Sequence, residues 1–277
     1  MGAIIWLASY PKSGNTWIRA FLHNLFLDRP EPAPINALND FCLGEDKAEY
    51  YNNFDRRPCT EMTPREIAEL RPKVHDLLTK AYPDSVFVKT HNYLGEWEGF
   101  PLVNMECTAG AIYLVRNPLD VAVSSARFYG VTIDQAIAWM AHPGMGSPTT
   151  DTSVRQVYGT WSTHLESWTQ NPMPSLHVTR YEDMLNQPFK TFGGVAKFLG
   201  LDPPRARLQR AIANSSFRSL RKQEDERGFV ERSQHAHFFR VGRAGQWRKV
   251  LSEEQVRRIV SDHREQMKRF KYLPKGY

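Results

Sequence analysis

Ile4-Ile5-Trp6-Leu7-Ala8-Ser9-Tyr10-Pro11-Lys12-Ser13-Gly14-Asn15-Thr16-Trp17 is the stretch on which the reading of this chain turns. An apolar run with the pattern of a buried strand, Ile4 to Ser9, breaks at Tyr10-Pro11. A helical pattern follows, with Ile18, Phe21, Leu22, Leu25 and Phe26 at spacings that share one face. The turn between them holds a lysine, a serine, a glycine and a threonine. A strand, a turn and a helix with that filling make an anion site. The first N–H groups of the helix have no intrahelical partner, and the positive end of its dipole lies behind them. Gly14 lets a phosphate approach the backbone, Lys12 brings a point charge, and Ser13 and Thr16 bring hydroxyl donors. A phosphate-bearing ligand is expected.

The loop is not the usual ATP-binding one. That loop is written G-x-x-x-x-G-K-[ST], with lysine after the glycine. Here Lys12 precedes Gly14, and no glycine stands five residues ahead of it.

Other apolar runs also end in chemistry-bearing residues. Ala111 to Val115 leads into Arg116-Asn117-Pro118-Leu119-Asp120, and Pro118 suits the first turn of a helix that carries Ser124 about two turns from Arg116. A guanidinium and a hydroxyl at that spacing suit a phosphate dianion; Arg116 paired with Asp120 is the other reading. Val86-Phe87-Val88 delivers Lys89, Thr90 and His91 to a strand's C-terminal end, where open parallel sheets bind ligands. Leu176 to Thr179 leads into Arg180-Tyr181-Glu182-Asp183. Further on stand Ser215-Ser216-Phe217 and Phe238-Phe239-Arg240-Val241-Gly242-Arg243-Ala244-Gly245-Gln246-Trp247.

Taken in order, these segments resemble the cytosolic-type, P-loop-like sulfotransferases. Those enzymes move a sulfuryl group from 3′-phosphoadenosine 5′-phosphosulfate (PAPS) to an acceptor. The resemblance runs from residue 4 to 250. Tyr-Pro-Lys-Ser-Gly-x-Thr-Trp resembles the phosphosulfate loop, which implies roles for Lys12, Ser13, Gly14, Asn15, Thr16 and Trp17. R-N-P-x-D-x-x-x-S implies 3′-phosphate contacts from Arg116 and Ser124. K-T-H implies His91 as general base, with Lys89 stabilising the transferring group alongside Lys12. R-Y-E-D implies Tyr181 at the adenine; Ser215 and Phe217 resemble the family's T-S-F, with Phe217 as an adenine stacker beside Trp17. The last segment is similar to R-K-G-x-x-G-D-W-K and implies 3′-phosphate contacts from Arg240 and Gly242. For His91 and Phe217, a satisfied structural histidine and ordinary core packing are the alternative readings.

The departures are Val241 for the usual lysine, Gln246 for the aspartate before Trp247, and Asn15 for the commoner threonine. Val241 removes one phosphate contact or leaves it to another residue such as Arg243. Gln246 is expected to alter a loop contact, and Asn15 can still donate hydrogen bonds to a phosphate.

The fold class expected is α/β: a single domain over residues 1–277 with a central parallel sheet flanked by helices. Strands are expected at Ile4–Ser9, Val86–Thr90, Ala111–Val115 and Leu176–Thr179. Helices are expected at Thr16–Leu27, Pro64–Tyr82, Pro118–Phe128, Val154–Thr169, Pro188–Leu199 and Arg205–Ala213, with a last one capped by Ser252 and Gln255. Asp28–Thr63, His142–Thr152 and Gln223–His237 show no period and are expected to shape the acceptor pocket.

Composition is compatible with this reading. Lys and Arg number 36 against 30 Asp and Glu, a formal charge of +6 that suits a polyanionic cofactor. The basic residues form no continuous block, so no nucleic-acid partner is expected. Cys42, Cys59 and Cys107 show neither metal-ligand spacing nor an even framework, as in a reducing compartment. The N-terminus reads as a strand rather than a signal peptide, and no apolar run reaches membrane-spanning length, so a cytoplasmic enzyme without a membrane partner is expected. The expected cofactor is PAPS, released as adenosine 3′,5′-bisphosphate, with no metal. The expected partner is a small-molecule acceptor with a hydroxyl or amine, and a homodimer is compatible. An ATP- or GTP-dependent kinase-like phosphotransferase and a non-catalytic anion binder on the same fold stay open as alternatives.

Overall fold

The structure, a computed structural model, describes residues 3–171 and 175–277. Its strands are β1 (Ala3–Ser9), β2 (Cys42–Gly44), β3 (Ser85–Thr90), β4 (Glu96–Trp97), β5 (Phe100–Pro101), β6 (Thr108–Val115) and β7 (Leu176–Arg180). Five of them make one sheet in the order β2-β3-β1-β6-β7, and β4 and β5 pair as a small antiparallel hairpin. The molecule is an α/β fold with a central parallel sheet flanked by helices.

The parallel register sets Ala3 against Ser85 and runs to Ala8 against Thr90. The next residues along the two strands are Ser9 and His91, so the ladder itself brings these two together. Ile4, Trp6, Leu7 and Ala8 are all fully buried, as a strand covered on both faces requires. That explains why β1 reads as an unbroken apolar run rather than an alternating one.

The helices are α1 (Asn15–Leu27), α2 (Leu38–Phe41), α3 (Ala48–Tyr51), α4 (Pro64–Leu78), α5 (Pro118–Tyr129), α6 (Ile133–Ala141), α7 (Trp161–Thr169), α8 (Tyr181–Asn186), α9 (Pro188–Phe198), α10 (Arg205–Asn214), α11 (Phe217–Arg227) and α12 (Glu253–Arg269). Their ends follow local chemistry. Thr63 and Glu66 close a capping box on α4, and Ser252 and Gln255 do the same on α12. Asn117 caps α5, Pro118 opens it, and Gly130 ends it at φ 68°.

Two compact units divide the chain. The first comprises Met1–Pro11, Cys42–Tyr113 and Trp139–Val178; the second comprises Lys12–Phe41, Leu114–Ala138 and Thr179–Tyr277. In the first, Trp6 of β1 meets His75 of α4 edge-on and Tyr113 of β6 stacks on Trp168 of α7. In the second, α1 packs on α10, and Ala20, Ile35, Leu38, Leu220, Phe229 and Phe239 form a buried cluster with Trp17, Phe217 and Phe238 against it.

The structure corrects several element boundaries. Val154–Thr169 is not one helix: Val157 bridges Gly146 in an antiparallel pair, Gly159 has φ 63°, and Thr160 caps a helix that starts only at Trp161. α4 stops at Leu78 instead of Tyr82. β2 lies inside the stretch read as aperiodic, and α6, α8 and α11 are further helices.

Candidate active site

The second unit holds all of the expected nucleotide-binding residues. At the start of α1, Lys12 has φ 66° and Gly14 φ 105°. The Gly14 carbonyl accepts from the N–H groups of Trp17 and Ile18 at 2.9 and 3.2 Å, which begins the helix. The first turn of α1 carries no acidic residue of its own, and the carboxylate that reaches it is that of Glu231, through Thr16. Gly14 has a second reason to be glycine. A Cβ built on it would lie 2.8 Å from Cδ2 of Tyr181 and 3.3 Å from Cε of Met184. The loop and the Tyr181 ring pack too closely for any side chain.

Arg116, at the end of β6, is buried and does not pair with Asp120. Its Nη1 donates to the Lys12 carbonyl at 2.9 Å, and its guanidinium carbon lies 4.2 Å from the centre of the Tyr181 ring. Trp17 meets Tyr181 and Phe192 edge-on, both at 5.6 Å between ring centres. Three polar atoms in this group are buried without a hydrogen-bond partner among the described residues: Ser13 Oγ, Trp17 Nε1 and Arg116 Nε. An unpaired buried polar group is costly, and three within one loop system fit a polar ligand. The residues present therefore suit an adenosine bisphosphate: hydroxyl and guanidinium donors at a helix N-terminus, with aromatic faces beside them.

Lys12 directs its ammonium onto the faces of Phe128 and Phe238, 3.4 and 4.3 Å from their centres. Thr16 donates to Oε2 of Glu231 at 3.3 Å, and buried Arg19 donates to Oε1 of the same carboxylate at 2.5 Å. Asn15 is buried at the helix start, and Ser124 is half-buried on α5. A Cβ on Gly242, at φ 60°, would lie 2.3 Å from the Phe217 ring, so that backbone lies directly on the ring. Ser215 differs from expectation. It is fully buried, and its hydroxyl donates to the Ala211 carbonyl at 2.8 Å, so it closes α10 instead of facing a ligand.

The first unit carries the expected catalytic pair. His91 Nδ1 lies 2.7 Å from the Ser9 carbonyl oxygen and 3.3 Å from Ser9 Oγ. A carbonyl can only accept, so Nδ1 carries the proton and Nε2 keeps a lone pair. The His91 carbonyl in turn accepts from Nε2 of His164 at 3.0 Å, and the Tyr113 hydroxyl lies 2.8 Å from His164 Nδ1. His164 is fully buried, and burial pushes its pKa down to about 3, so it stays neutral and donates from one nitrogen while accepting at the other. Lys89 stands two residues before His91 on β3. Burial pushes the Asp46 carboxyl up, with Lys89 pulling against that shift.

Beside them lies a buried polar network. Glu45 is fully buried and accepts from Arg71 Nη1 (2.7 Å), Thr90 Oγ1 (3.0 Å), Asn92 Nδ2 (2.6 Å) and Gln156 Nε2 (3.0 Å). Burial alone would raise its pKa, but the Arg71 charge, the nearby His75 ring and the bond from Gln156 outweigh it and hold the carboxyl at about 2. Asn92 also accepts from the Val157 N–H at 2.6 Å, and its carbonyl accepts from Trp168 Nε1 at 3.0 Å. The residues on both sides of His91 are thus fixed.

Sequence reading missed several residues that build this geometry. Asp120 accepts from the N–H groups of Gly245 and Trp247 at 2.6 and 3.1 Å. Glu182 accepts from the Asn117 N–H at 3.1 Å and from the Tyr272 hydroxyl at 2.7 Å, tying the R-Y-E-D segment to the R-N-P turn. Asp120 and Glu182 both sit inside segments already singled out, so their places in the motifs were the available signal. Nothing local marks Tyr113, His164 or Glu45. Among the described residues no group of three or more His, Cys, Asp or Glu is placed to hold a metal ion, and no helix is long and apolar enough to cross a membrane.

Residues 4–271 match the sulfotransferase domain. The chain belongs to the sulfotransferase family. As a member it is a PAPS-dependent sulfotransferase enzyme. It is 24% identical to sulfotransferase 1A1 of Canis lupus familiaris, over 94% of this chain and 82% of that one. It is 22% identical to 3-alpha-hydroxysteroid sulfotransferase of Cavia porcellus, again over 94% and 82%. In fold it is similar to retinol dehydratase in complex with androsterone and the inactive cofactor PAP (TM-score 0.65, 22% identity, 96% of this chain and 80% of that one). It is also similar to mouse sulfotransferase SULT7A1 complexed with PAP (TM-score 0.62, 22% identity, 96% and 84%).

Proposed function

We propose that this protein, as one sulfotransferase domain over residues 1–277, transfers a sulfuryl group from PAPS to a hydroxyl or amine of a small molecule, with His91 as general base. PAPS supplies the sulfuryl group already activated by its phosphate leaving group. The observation that carries the reading is the set of buried, partnerless donors Ser13 Oγ, Trp17 Nε1 and Arg116 Nε around the start of α1.

Each residue then has a role that its own chemistry supports. The Lys12–Thr16 loop binds the 5′ phosphosulfate through hydroxyls and helix N–H groups, with Asn15 as a further donor. Arg116, Ser124, Arg240 and the Gly242 backbone bind the 3′-phosphate. Trp17, Tyr181 and Phe217 present aromatic faces to the adenine. Ser215 is left out, because its hydroxyl is committed to Ala211. His91 takes the acceptor proton at Nε2 while Nδ1–H donates to the Ser9 carbonyl, which holds the ring and favours the charged form as it develops. Lys12 and Lys89 stabilise charge building on the bridging and equatorial oxygens, the electrostatic work that dominates such transfers. With two lysines in that role, the reaction is proposed to need no metal.

The acceptor is proposed to be small and partly apolar, of the kind represented by the androsterone and retinol held in the retinol dehydratase structures. Aromatic residues in the Asp28–Thr63 segment, among them Phe41, Tyr50 and Phe54, support this. The test is transfer from radiolabelled PAPS to a panel of phenols, steroid and aliphatic alcohols and amines, in EDTA. Labelled product from at least one class is expected. Turnover of magnesium ATP in place of PAPS would overturn the reading.

A further inference from the structure

Two guanidinium groups in the second unit converge on one neutral oxygen. Arg127 Nη1 donates to Gln246 Oε1 at 3.3 Å, and Arg240 Nη2 donates to the same atom at 3.2 Å. The amide orientation is determined by its other end, because Gln246 Nε2 donates to the Arg243 carbonyl at 3.1 Å and so must be the nitrogen. Among the described residues neither arginine forms an ion pair with a carboxylate. The carboxylate on the same helix, Asp120, is already used. Its two oxygens accept from Gly245 and Trp247, the residues on either side of Gln246, and hold that turn in place.

The result is a built arrangement of two like charges with only a dipole between them. Desolvation and, after it, the neighbouring charge of Arg127 disfavour the protonated form of Arg240. A shared anion relieves both at once. Arg127 also sits three residues after Ser124 on α5, and residues at that spacing share one helix face. Ser124, Arg127 and Arg240 therefore present a hydroxyl and two guanidinium forks, a donor set suited to a phosphomonoester dianion.

We propose that Arg127 is a binding residue for the 3′-phosphate of the nucleotide, forming a two-arginine clamp with Arg240 that Gln246 holds open. This rests on the proposed function, which puts the 3′-phosphate at Arg240. It assigns to α5 the charge that the R-K-G-like segment lacks at Val241. Gln246 is then more than an altered loop contact: its neutral oxygen spaces the two arginines without neutralising them.

The experiment is calorimetric titration of the full-length protein with adenosine 3′,5′-bisphosphate and, separately, with adenosine 5′-monophosphate and inorganic phosphate. The wild type should prefer the bisphosphate to the monophosphate by at least tenfold. Arg127→Gln should weaken the bisphosphate by about 10–100-fold, as expected for a lost charge-assisted contact, and leave the monophosphate unchanged. Arg127→Lys should lose less, since it keeps the charge. Gln246→Glu should also reduce the preference, because a carboxylate would occupy both arginines. Val241→Lys combined with Arg127→Gln should restore part of it. An unchanged preference in Arg127→Gln overturns the clamp while leaving the proposed function standing. An equal loss for both nucleotides assigns Arg127 a structural role and also overturns it. Inorganic phosphate bound as well as the bisphosphate, and weakened alike by Arg127→Gln, would show a free-phosphate site instead. No bisphosphate binding by the wild type removes the proposed function itself.

Discussion

The Nδ1 atom of His91 lies 2.7 Å from the carbonyl oxygen of Ser9, the last residue of the strand that leads into the Lys12–Thr16 loop. The bond follows from strand register, since Ala8 pairs with Thr90 and Ser9 and His91 come next. It settles the tautomer: Nδ1 donates, and Nε2 is the atom that can take a proton. One strand end thus orients the His91 ring, and three residues further along the chain stands Lys12.

His91→Ala should lower sulfuryl-transfer turnover by roughly 10²–10⁴ while leaving nucleotide affinity unchanged. Steady-state rates beside a bisphosphate titration check this. Full turnover in the variant would remove His91 from the mechanism.

Gly14→Ala should cost both stability and nucleotide affinity. The new Cβ would lie 2.8 Å from the Tyr181 ring, at a φ of 105° that side chains rarely adopt. A penalty of about 1–3 kcal/mol is expected from the backbone strain alone, read as a lower midpoint in urea. Unchanged midpoint and affinity would show that the loop packs differently.

Glu45→Gln should destabilise the protein by about 3–5 kcal/mol, because it leaves the buried Arg71 charge without its partner. The carboxyl is held at about 2 against an ordinary 4.5. Its contribution is therefore complete above about pH 4.5 and is lost as pH falls toward 2. Urea denaturation at pH 7 and at pH 3 should show a gap between wild type and variant that narrows in acid.

The buried histidines give a second acid limb at higher pH. Burial holds His164 at about 3 and His263 at about 4, both below the ordinary 6.5. Between those values the unfolded chain binds protons that the folded chain refuses. Stability should hold above about pH 6.5 and decline as pH falls toward 4. His263→Leu should flatten that decline by up to about 3 kcal/mol, visible in melting temperatures taken across the range.

Much of the turn geometry of the second unit was legible because it is local. Lys12 to Trp17, Arg116 with Ser124, and Tyr181 each follow an apolar run in sequence, and short-range rules connect a strand end to the turn after it. What escaped depends on tertiary placement. Arg127 meets Arg240 only through Gln246, more than a hundred residues away, and His164 meets His91 only when α7 packs on the sheet. The helix misread at Val154–Thr169 has a physical cause. Val154, Val157, Trp161, Leu165 and Trp168 are all buried, at spacings a helix would use. The first two are buried by a bridged extended segment, and Gly159 and Thr160 separate it from the true helix. Burial alone did not distinguish the two. β2 is only three residues long, too short to show a period.

The donors around Gly14 and Arg116 should bind an adenosine bisphosphate without a metal. The direct measurement is calorimetric titration of the purified protein with adenosine 3′,5′-bisphosphate in EDTA, beside ATP with magnesium. Metal-free bisphosphate binding that is abolished by Arg116→Ala is the predicted result. No bisphosphate binding, together with magnesium-dependent ATP binding, would contradict it.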